Sequence, residues 1–532
     1  MLYSMQQVEI FDTTLRDGLQ LEGVSATVND KLLIAQELDK LGVHFIEGRW
    51  PGANPKDVEF FRRARSELTL TTSTLVAFGS TRRPRGKTDD DPTLRNLLEA
   101  DTSAVCIVAK CSEYQILEAL RTTIDEALAM IGESVEFLTG EGRSVLVDLE
   151  HFFDGYKANP EVSLRAIEAA VVSGASHLVL CDTNGGTLPH EVEQIVREVA
   201  GDVGDDATIG IHCHDDAGCG VANAVAAVRG GARHVQGTLN GIGERTGNTN
   251  LTTVIPNLMV KQDYECLPPE RLHQLTIVSH RVAEVLNRAV PAQAPYVGSS
   301  AFAHKAGLHV SAIARAKDAY EHIDPNVVGN DTRFVVSEMA GRATIALKAQ
   351  ELGLELDGAV INSVIDQLKE LEHRGYHFEA ADASLELLLR RAIYDLPEFF
   401  RVESLRVITD ENERQTFSTE ATLKVWVTVG DNQPTRHVAV AEGNGPIHAI
   451  DSAFRGALGQ DIPALAGLTL TDYKVRILDG ANATGATTRV LLSASNGTRT
   501  WTTIGVSPNI IEASWQALED SIIYGLLLNQ ND

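Results

Sequence analysis

Thr208-Ile209-Gly210-Ile211-His212-Cys213-His214-Asp215-Asp216-Ala217-Gly218 reads as a β-strand that ends in ligand-type side chains. Residues i and i+2 of an extended chain project from the same face, so the imidazoles of His212 and His214 point the same way. Alone, such a pair is as well explained by one packed and one solvated histidine. Here acids and glycines follow at once, and Asn240-Gly241-Ile242-Gly243-Glu244-Arg245-Thr246-Gly247-Asn248 closes the next strand candidate. Glycine-permissive backbone beside ligand-type side chains reads as a site.

Working outward, the same strand-then-helix pattern recurs along the first 265 or so residues. The strand candidates are Val8 to Thr14, Phe45 to Trp50, Leu68 to Phe78, Ala104 to Lys110, Ser144 to Phe153, His177 to Asn184, Thr208 to Asp216 and His234 to Gly243. Helical patterns separate them, such as Asp30 to Leu41 with Ile34, Leu38 and Leu41 on one stripe and Gly42 as a stop. Eight such units predict an α/β chain built on a (β/α)8 TIM barrel, with a doubly wound open sheet as the alternative. In a barrel the chemistry sits at the C-terminal strand ends. Polar residues gather there: Arg16-Asp17-Gly18, then Asp148 and Glu150, then Asp182-Thr183-Asn184-Gly185-Gly186, His212 and His214, and finally Glu244 to Asn248. Any one of these fits a turn or cap residue, but five strand ends in agreement point to a common site.

The chain is 532 residues long, more than one core accommodates, and its 43% hydrophobic and 22% charged residues exclude disorder and fibrous repeats. A net charge of −27 argues against nucleic-acid binding, which runs on phosphate neutralisation by Lys and Arg. The lack of a basic-then-apolar start and of any long apolar stretch predicts no membrane association and a cytoplasmic location. The six cysteines, none in a CxxC pair, fit free thiols in a reducing compartment. Glu265 to Leu286 reads as helix, Pro291 to Ser300 breaks it, and helical patterns resume at Ala343 to Leu352 and Asp357 to Leu371. The last 130 or so residues turn to period-two strands, with one helix beginning near Pro446 and another near Asn509. Ile447, Ala449 and Ala453 match Ile511, Ala513 and Ala517 at a constant offset of 64, which predicts a duplicated βββα unit. The domains expected are 1–275 for the barrel, 276–395 for mostly helical linking subdomains, and 396–532 for a C-terminal α+β domain.

Asp17, His212, His214 and Asn248 offer two imidazole nitrogens, a carboxylate and an amide oxygen. That set without thiolate suits a divalent metal ion (Mg²⁺, Mn²⁺, Co²⁺ or Zn²⁺), and Cys213 faces the other way. A 2-keto acid chelates such an ion, which then polarises the keto group.

Phe11-Asp12-Thr13-Thr14-Leu15-Arg16-Asp17-Gly18-Leu19-Gln20, the His212 to Asp216 run and Asn240 to Asn248 together resemble the 2-isopropylmalate, homocitrate and citramalate synthase family, over nearly the whole chain. Glu47 to Asp57, Glu150 to Lys157, Leu180 to Gly186 and Tyr320 to Pro325 are similar to its citramalate branch. Arg49 departs from an expected glycine, and Ala109 to Ser112 match only in part. The resemblance implies condensation of acetyl-CoA, as co-substrate, with pyruvate. Asp17, His212, His214 and Asn248 would hold the ion, and Arg16 would bind substrate over the developing oxyanion. Thr183 would bind the keto-acid carboxylate, and Glu150 would be the base, joined by His309 and Tyr320 from the Phe302 to Val310 stretch and beyond. It further implies a homodimer and a regulatory C-terminal domain with isoleucine as effector.

A rival within the family, 2-isopropylmalate synthase, would take 2-ketoisovalerate instead, a difference of one or two methyl groups worth about 1–3 kcal/mol. A non-catalytic amino-acid sensor is the alternative from another class. Lys305, Arg315 and Lys317 are candidate CoA phosphate partners, whereas Arg82 to Lys87 reads as a solvated turn balanced by Asp89 to Asp91.

Overall fold

The computed structural model describes residues 6–305, 309, 312–313, 315–316, 319–336, 341–394, 396–411, 417–428, 430, 433–478 and 485–531. The chain forms two compact units, one of residues 1–302 with 321–332 and one of residues 303–320 with 333–532.

In the first unit β1 (Glu9–Asp12), β2 (Phe45–Glu47), β3 (Thr74–Ser80), β4 (Ala104–Lys110), β5 (Ser144–Glu150), β6 (His177–Asp182), β7 (Thr208–Cys213) and β8 (His234–Gly237) form a closed barrel in sequence order. All its neighbours are parallel, and closure comes from β1 beside β8, with Glu9 opposite His234 and Asp12 opposite Gly237. Both faces of each strand are covered, so the strands read as near-continuous apolar runs. Alternation nevertheless sorts the residues: on β5, Val145, Val147 and Leu149 pack outward against the helices, while Leu146 joins Phe11, Val76, Ala104 and Cys106 inside. Polar residues bracket that inner apolar layer, with Glu9, His177 and His234 at the N-terminal end of the barrel and Glu47, Asp148, Gln236 and His212 toward the C-terminal end.

The helices are set by local chemistry. Thr27 and Asp30 form a reciprocal capping box at the start of helix Val28–Leu41, and Gly42 ends it at φ 95°, where a Cβ would be strained. Helices Pro55–Glu67, Pro160–Val172 and Pro189–Val203 begin on proline, which has no N–H to leave unpaired. Lys31 of helix Val28–Leu41 and Asp57 of helix Pro55–Glu67 are buried together.

Three sequence expectations need correction. The third strand starts at Thr74 and not Leu68, because the buried Asp39 carboxylate takes the N–H groups of Thr71, Thr72 and Ser73 at 2.8–3.1 Å, out of reach of a sheet ladder. The predicted helix from Glu265 is a 3-10 turn, Pro269–Gln274, followed by helix Leu275–Val285, since prolines at 268 and 269 disfavour helical backbone before them. Arg82 is not solvated: it is 3% exposed and bonds Glu126 at 2.8 Å and Glu133 at 2.6 Å rather than the Asp89 to Asp91 run. Val278, Val282, Tyr296, Val297 and Phe302 share the barrel's core.

In the second unit, helices Arg342–Glu351, Gly358–His373 and Asp382–Ile393 precede two antiparallel three-stranded sheets. Strands Phe400–Glu411, Phe417–Val427 and Thr435–Gly443 lead into helix Pro446–Leu458. Strands Thr469–Ile477, Thr488–Ser495 and Thr500–Ser507 lead into helix Ile510–Asn531, so the duplication read from the offset is structural. Ala449, Ala453, Ala513 and Ala517 all lie fully buried in one core, which is why small residues recur at that spacing. The edge strands of the two sheets expose Val438, Val440, Val475 and Ile477. Among the described residues no helix is long and apolar enough to cross a membrane.

Candidate active site

A cavity of about 310 Å³ opens at the C-terminal ends of the barrel strands, and Arg16, Asp17, Glu150, Thr183, His212 and His214 all line it. The turn after β1 aims the first two. Thr13 carbonyl oxygen accepts from the N–H groups of Arg16, Asp17 and Gly18 at 2.9–3.1 Å, while the Asp12 carboxylate accepts from Thr14 N–H at 2.8 Å and from Leu239 N–H at 3.2 Å. The first strand end is thus tied to the last.

Asp17, His212 and His214 bring one ligand atom each to within 4.8 Å of one another, and all three are buried. Asp17 Oδ2 lies 3.4 Å from His212 Nε2 and 3.7 Å from His214 Nε2. Asn248 is brought beside the group through its backbone: Asp215 N–H donates to Gly247 carbonyl at 3.0 Å and Thr249 N–H to Cys213 carbonyl at 2.9 Å, pairing His214 with Asn248 across a short antiparallel bridge. A Cβ on Gly243 would lie 2.3 Å from Asn248 Nδ2, so only glycine lets that amide lie where it does.

The donor set fits a divalent cation. Asn248 Oδ1 is buried with no hydrogen-bond partner among the described residues, a cost that a cation would remove. Burial would raise the Asp17 carboxyl, but Arg16 and the two imidazoles outweigh it and hold the group well below the usual carboxylate range. Burial, with His212 alongside, pushes His214 down to about 4, leaving a neutral ligand at pH 7. His212 is drawn upward: burial opposes, but its hydrogen bond to Asp17 prevails.

Sequence reasoning missed a relay behind these ligands. His212 Nδ1 lies 2.9 Å from Gln236 Oε1, and Gln236 Nε2 donates to Asp148 Oδ1 at 3.0 Å. Asp148 Oδ2 is 3.9 Å from Arg16 Nη2, and Arg16 Nε donates to Glu47 Oε2 at 2.7 Å, which also accepts from Thr13 Oγ1 at 2.5 Å. The Arg16 guanidinium lies 4.1 Å from the Phe78 ring centroid, fixing its plane. Burial pushes the Glu47 carboxyl up, with Arg16 opposing. Glu47 and Gln236 are single polar positions inside apolar strands, and their only signal is inward phase.

Glu150 pairs with Lys110, its register partner on β4. Thr183 Oγ1 accepts from His151 N–H at 2.8 Å, and Arg245 grips Asp216 with two bonds of 2.8 and 2.9 Å while donating to Thr183 carbonyl. His309 and Tyr320 belong to the second unit, where their rings stack at 4.1 Å. Lys305 pairs there with Glu379. Lys317, like residues 306–308 and 310 of the Phe302 to Val310 stretch, lies outside the described residues.

Residues 7–282 match the HMGL-like family, 296–376 the homocitrate synthase post-HMGL domain-like family, and 379–526 the LeuA allosteric (dimerisation) domain. The chain belongs to the HMGL-like family of barrel proteins. It is 52% identical over 97% of its length to an (R)-citramalate synthase of Streptomyces coelicolor, covering 96% of that protein, and 47% identical over 99% to one of Aquifex aeolicus, covering 99%. A probable 2-isopropylmalate synthase of Methanopyrus kandleri is 32% identical over 96% of this chain and 97% of its own. Within the family the chain therefore stands with the (R)-citramalate synthases.

Proposed function

We propose that the chain condenses acetyl-CoA with pyruvate and water to give citramalate and free CoA. The observation that carries this reading is the convergence of Asp17, His212 and His214 beside Arg16 in one cavity, in a chain similar from end to end to (R)-citramalate synthases.

Asp17, His212, His214 and Asn248 would hold a divalent ion, which when bound supplies Lewis acidity toward a keto acid. The remaining work falls to the protein's own groups. Thr183, on the wall of the same cavity, donates its hydroxyl to the carboxylate of pyruvate. Glu150 removes a proton from the acetyl methyl group, with Lys110 holding its carboxylate in place. The resulting carbon attacks the keto carbon, and the two electrons of the carbonyl bond pass to its oxygen. Arg16 faces that oxygen, its guanidinium anchored by Glu47 and stacked on Phe78 so that it need not reorganise as charge builds. His309 and Tyr320 are assigned to assist Glu150 in the proton removal, and water then displaces CoA as the thiol and leaves a carboxylate.

In the C-terminal domain the exposed apolar edges of the two sheets, Val438 and Val440 on one and Val475 and Ile477 on the other, support a homodimer, and isoleucine is the effector this reading assigns there. The deciding assay is free-thiol release from acetyl-CoA with pyruvate, 2-ketoisovalerate and 2-ketobutyrate, each with and without chelator. Preference for pyruvate and loss with chelator are expected. Preference for 2-ketoisovalerate would move the chain to the leucine-type reaction, and indifference to chelator would overturn the metal assignment. Inhibition of the pyruvate reaction by isoleucine tests the effector; no inhibition removes it.

A further inference from the structure

A second constellation lies at the other end of the barrel, where the reaction proposed above has no use for it. Glu9 begins β1, His177 begins β6 and His234 begins β8. Glu9 Oε2 is 2.7 Å from His177 Nε2 and 3.5 Å from His234 Nδ1, and the three ligand atoms lie within 4.8 Å of one another. The apolar layer of Phe11, Val76, Cys106 and Leu146 separates this group from the upper cavity.

Chain packing builds this group. His234 is fully buried, and neither of its ring nitrogens has a hydrogen-bond partner among the described residues. Its ring sits between Phe11 at 5.4 Å and Phe45 at 5.7 Å, with His177 at 4.9 Å. Room for it comes from Gly210 on β7, where a Cβ would stand 2.8 Å from His234 Cδ2. His177 is fixed through its other nitrogen, since Nδ1 lies 2.9 Å from Ser176 Oγ, which donates to Val145 carbonyl at 2.9 Å. A ring held at one nitrogen so that the other faces a neighbour is how metal-binding histidines are oriented.

The hydrogen bond between His177 and Glu9 accounts for only part of the group. Neither nitrogen of the buried His234 ring is hydrogen-bonded among the described residues, although Nδ1 lies 3.5 Å from Glu9 Oε2. Ligand atoms around a tetrahedral zinc ion with bonds of about 2.0–2.1 Å stand roughly 3.3 Å apart; the 3.5 Å between His234 and Glu9 is near that spacing, whereas the 2.7 Å between His177 and Glu9 is a hydrogen bond that lengthens when an ion takes the place of its proton. Glu9 is half-buried, which leaves a solvent side for a water as fourth ligand.

The geometry points to a second metal site at the base of the barrel, in which Glu9, His177 and His234 bind a borderline divalent cation of the Zn²⁺ or Co²⁺ type as a structural ion. Two nitrogens and one carboxylate oxygen select such ions over Mg²⁺ or Ca²⁺, which want oxygen cages. The site is independent of the reaction assigned to the upper cavity.

The test is the metal content of the full chain, stripped with chelator and dialysed against Zn²⁺ alone. The wild type is expected to take up two ions per chain. Glu9→Gln and His177→Asn should each take up one and keep the wild-type rate of thiol release, which shows that the fold and the upper site are intact. Asp17→Asn should also keep one ion, at the base, and with Co²⁺ in place of Zn²⁺ should show the visible absorption of a tetrahedral nitrogen–oxygen site. One ion per chain in the wild type overturns the proposal. So does uptake of two by both base variants, or the absence of that Co²⁺ spectrum from Asp17→Asn.

Discussion

Gln236→Met is the sharpest test of how the upper site is held. The wild-type amide is fully buried and serves two neighbours at once, accepting at 2.9 Å from His212 Nδ1 and donating at 3.0 Å to Asp148 Oδ1. Methionine fills similar volume but does neither. His212 then loses the contact that keeps its Nε2 lone pair turned toward Asp17, and loss of such support typically costs 10–100-fold in metal affinity, or about 1.4–2.7 kcal/mol. The stranded imidazole N–H adds about 1–3 kcal/mol of destabilisation. Affinity is measured by competition with a chromophoric chelator, and folding by circular dichroism. Gln236→Glu separates the two halves, since its carboxyl oxygen still accepts from His212 and, carrying a proton, still donates to Asp148; its metal affinity should stay near that of the wild type. A folded Gln236→Met protein that binds metal as tightly as the wild type would refute the relay.

Other outcomes follow from local contacts. Gly243→Ala places a methyl group 2.3 Å from Asn248 Nδ2 at φ 155° and should lower metal affinity by at least about 10-fold through displacement of that amide; unchanged chelator competition would show that Asn248 is not a ligand. Lys31→Met leaves Asp57 buried without its cation and should cost about 3–5 kcal/mol, most of it recovered in Lys31→Met/Asp57→Leu when denaturation of the two variants is compared. Asp39 is held below its ordinary carboxylate value, burial being overcome by three backbone N–H groups, so its stabilisation is present above pH 4 and lost as pH falls through the folded value. Asp39→Asn should therefore be less stable than the wild type by about 1.5–3 kcal/mol at pH 7, with the gap closing on acidification; a gap that is constant with pH would sink this account. Arg16→Lys keeps the charge but not the fork to Glu47 and Asp148, and should cut kcat about 10²–10³-fold with metal content unchanged, as thiol release and metal analysis would report.

The barrel was legible because eight strand–helix alternations leave a periodic trace, and the C-terminal duplication because buried alanines recur at one offset. His212 and His214 were legible because their spacing is that of a strand face. Asp148 was read as a strand-end polar residue, but Glu47 and Gln236, which tie it to Arg16 and His212, were not, because an inward-facing polar residue in a doubly buried strand looks like an interruption of an apolar run until the barrel closes around it. Leu68 to Ser73 misled for the opposite reason: β-forming residues there are captured by a carboxylate 32–34 positions away in sequence, a competition that propensity cannot see. Arg82 misled because its acidic partners stand on a helix more than 40 residues downstream, while nearer acids offered a plausible local balance.

β7 is six residues long, yet Gly210 leaves room for a ring at the base while His212 and His214 occupy the mouth. That strand acts as a rigid strut shared by both ends of the cylinder. Loops around the rim can be exchanged to retune which acceptor is taken, and the base will not register the change. Any side chain at Gly210, by contrast, tugs on both ends at once, so selection can reshape this protein's mouth far more readily than the strand that carries it.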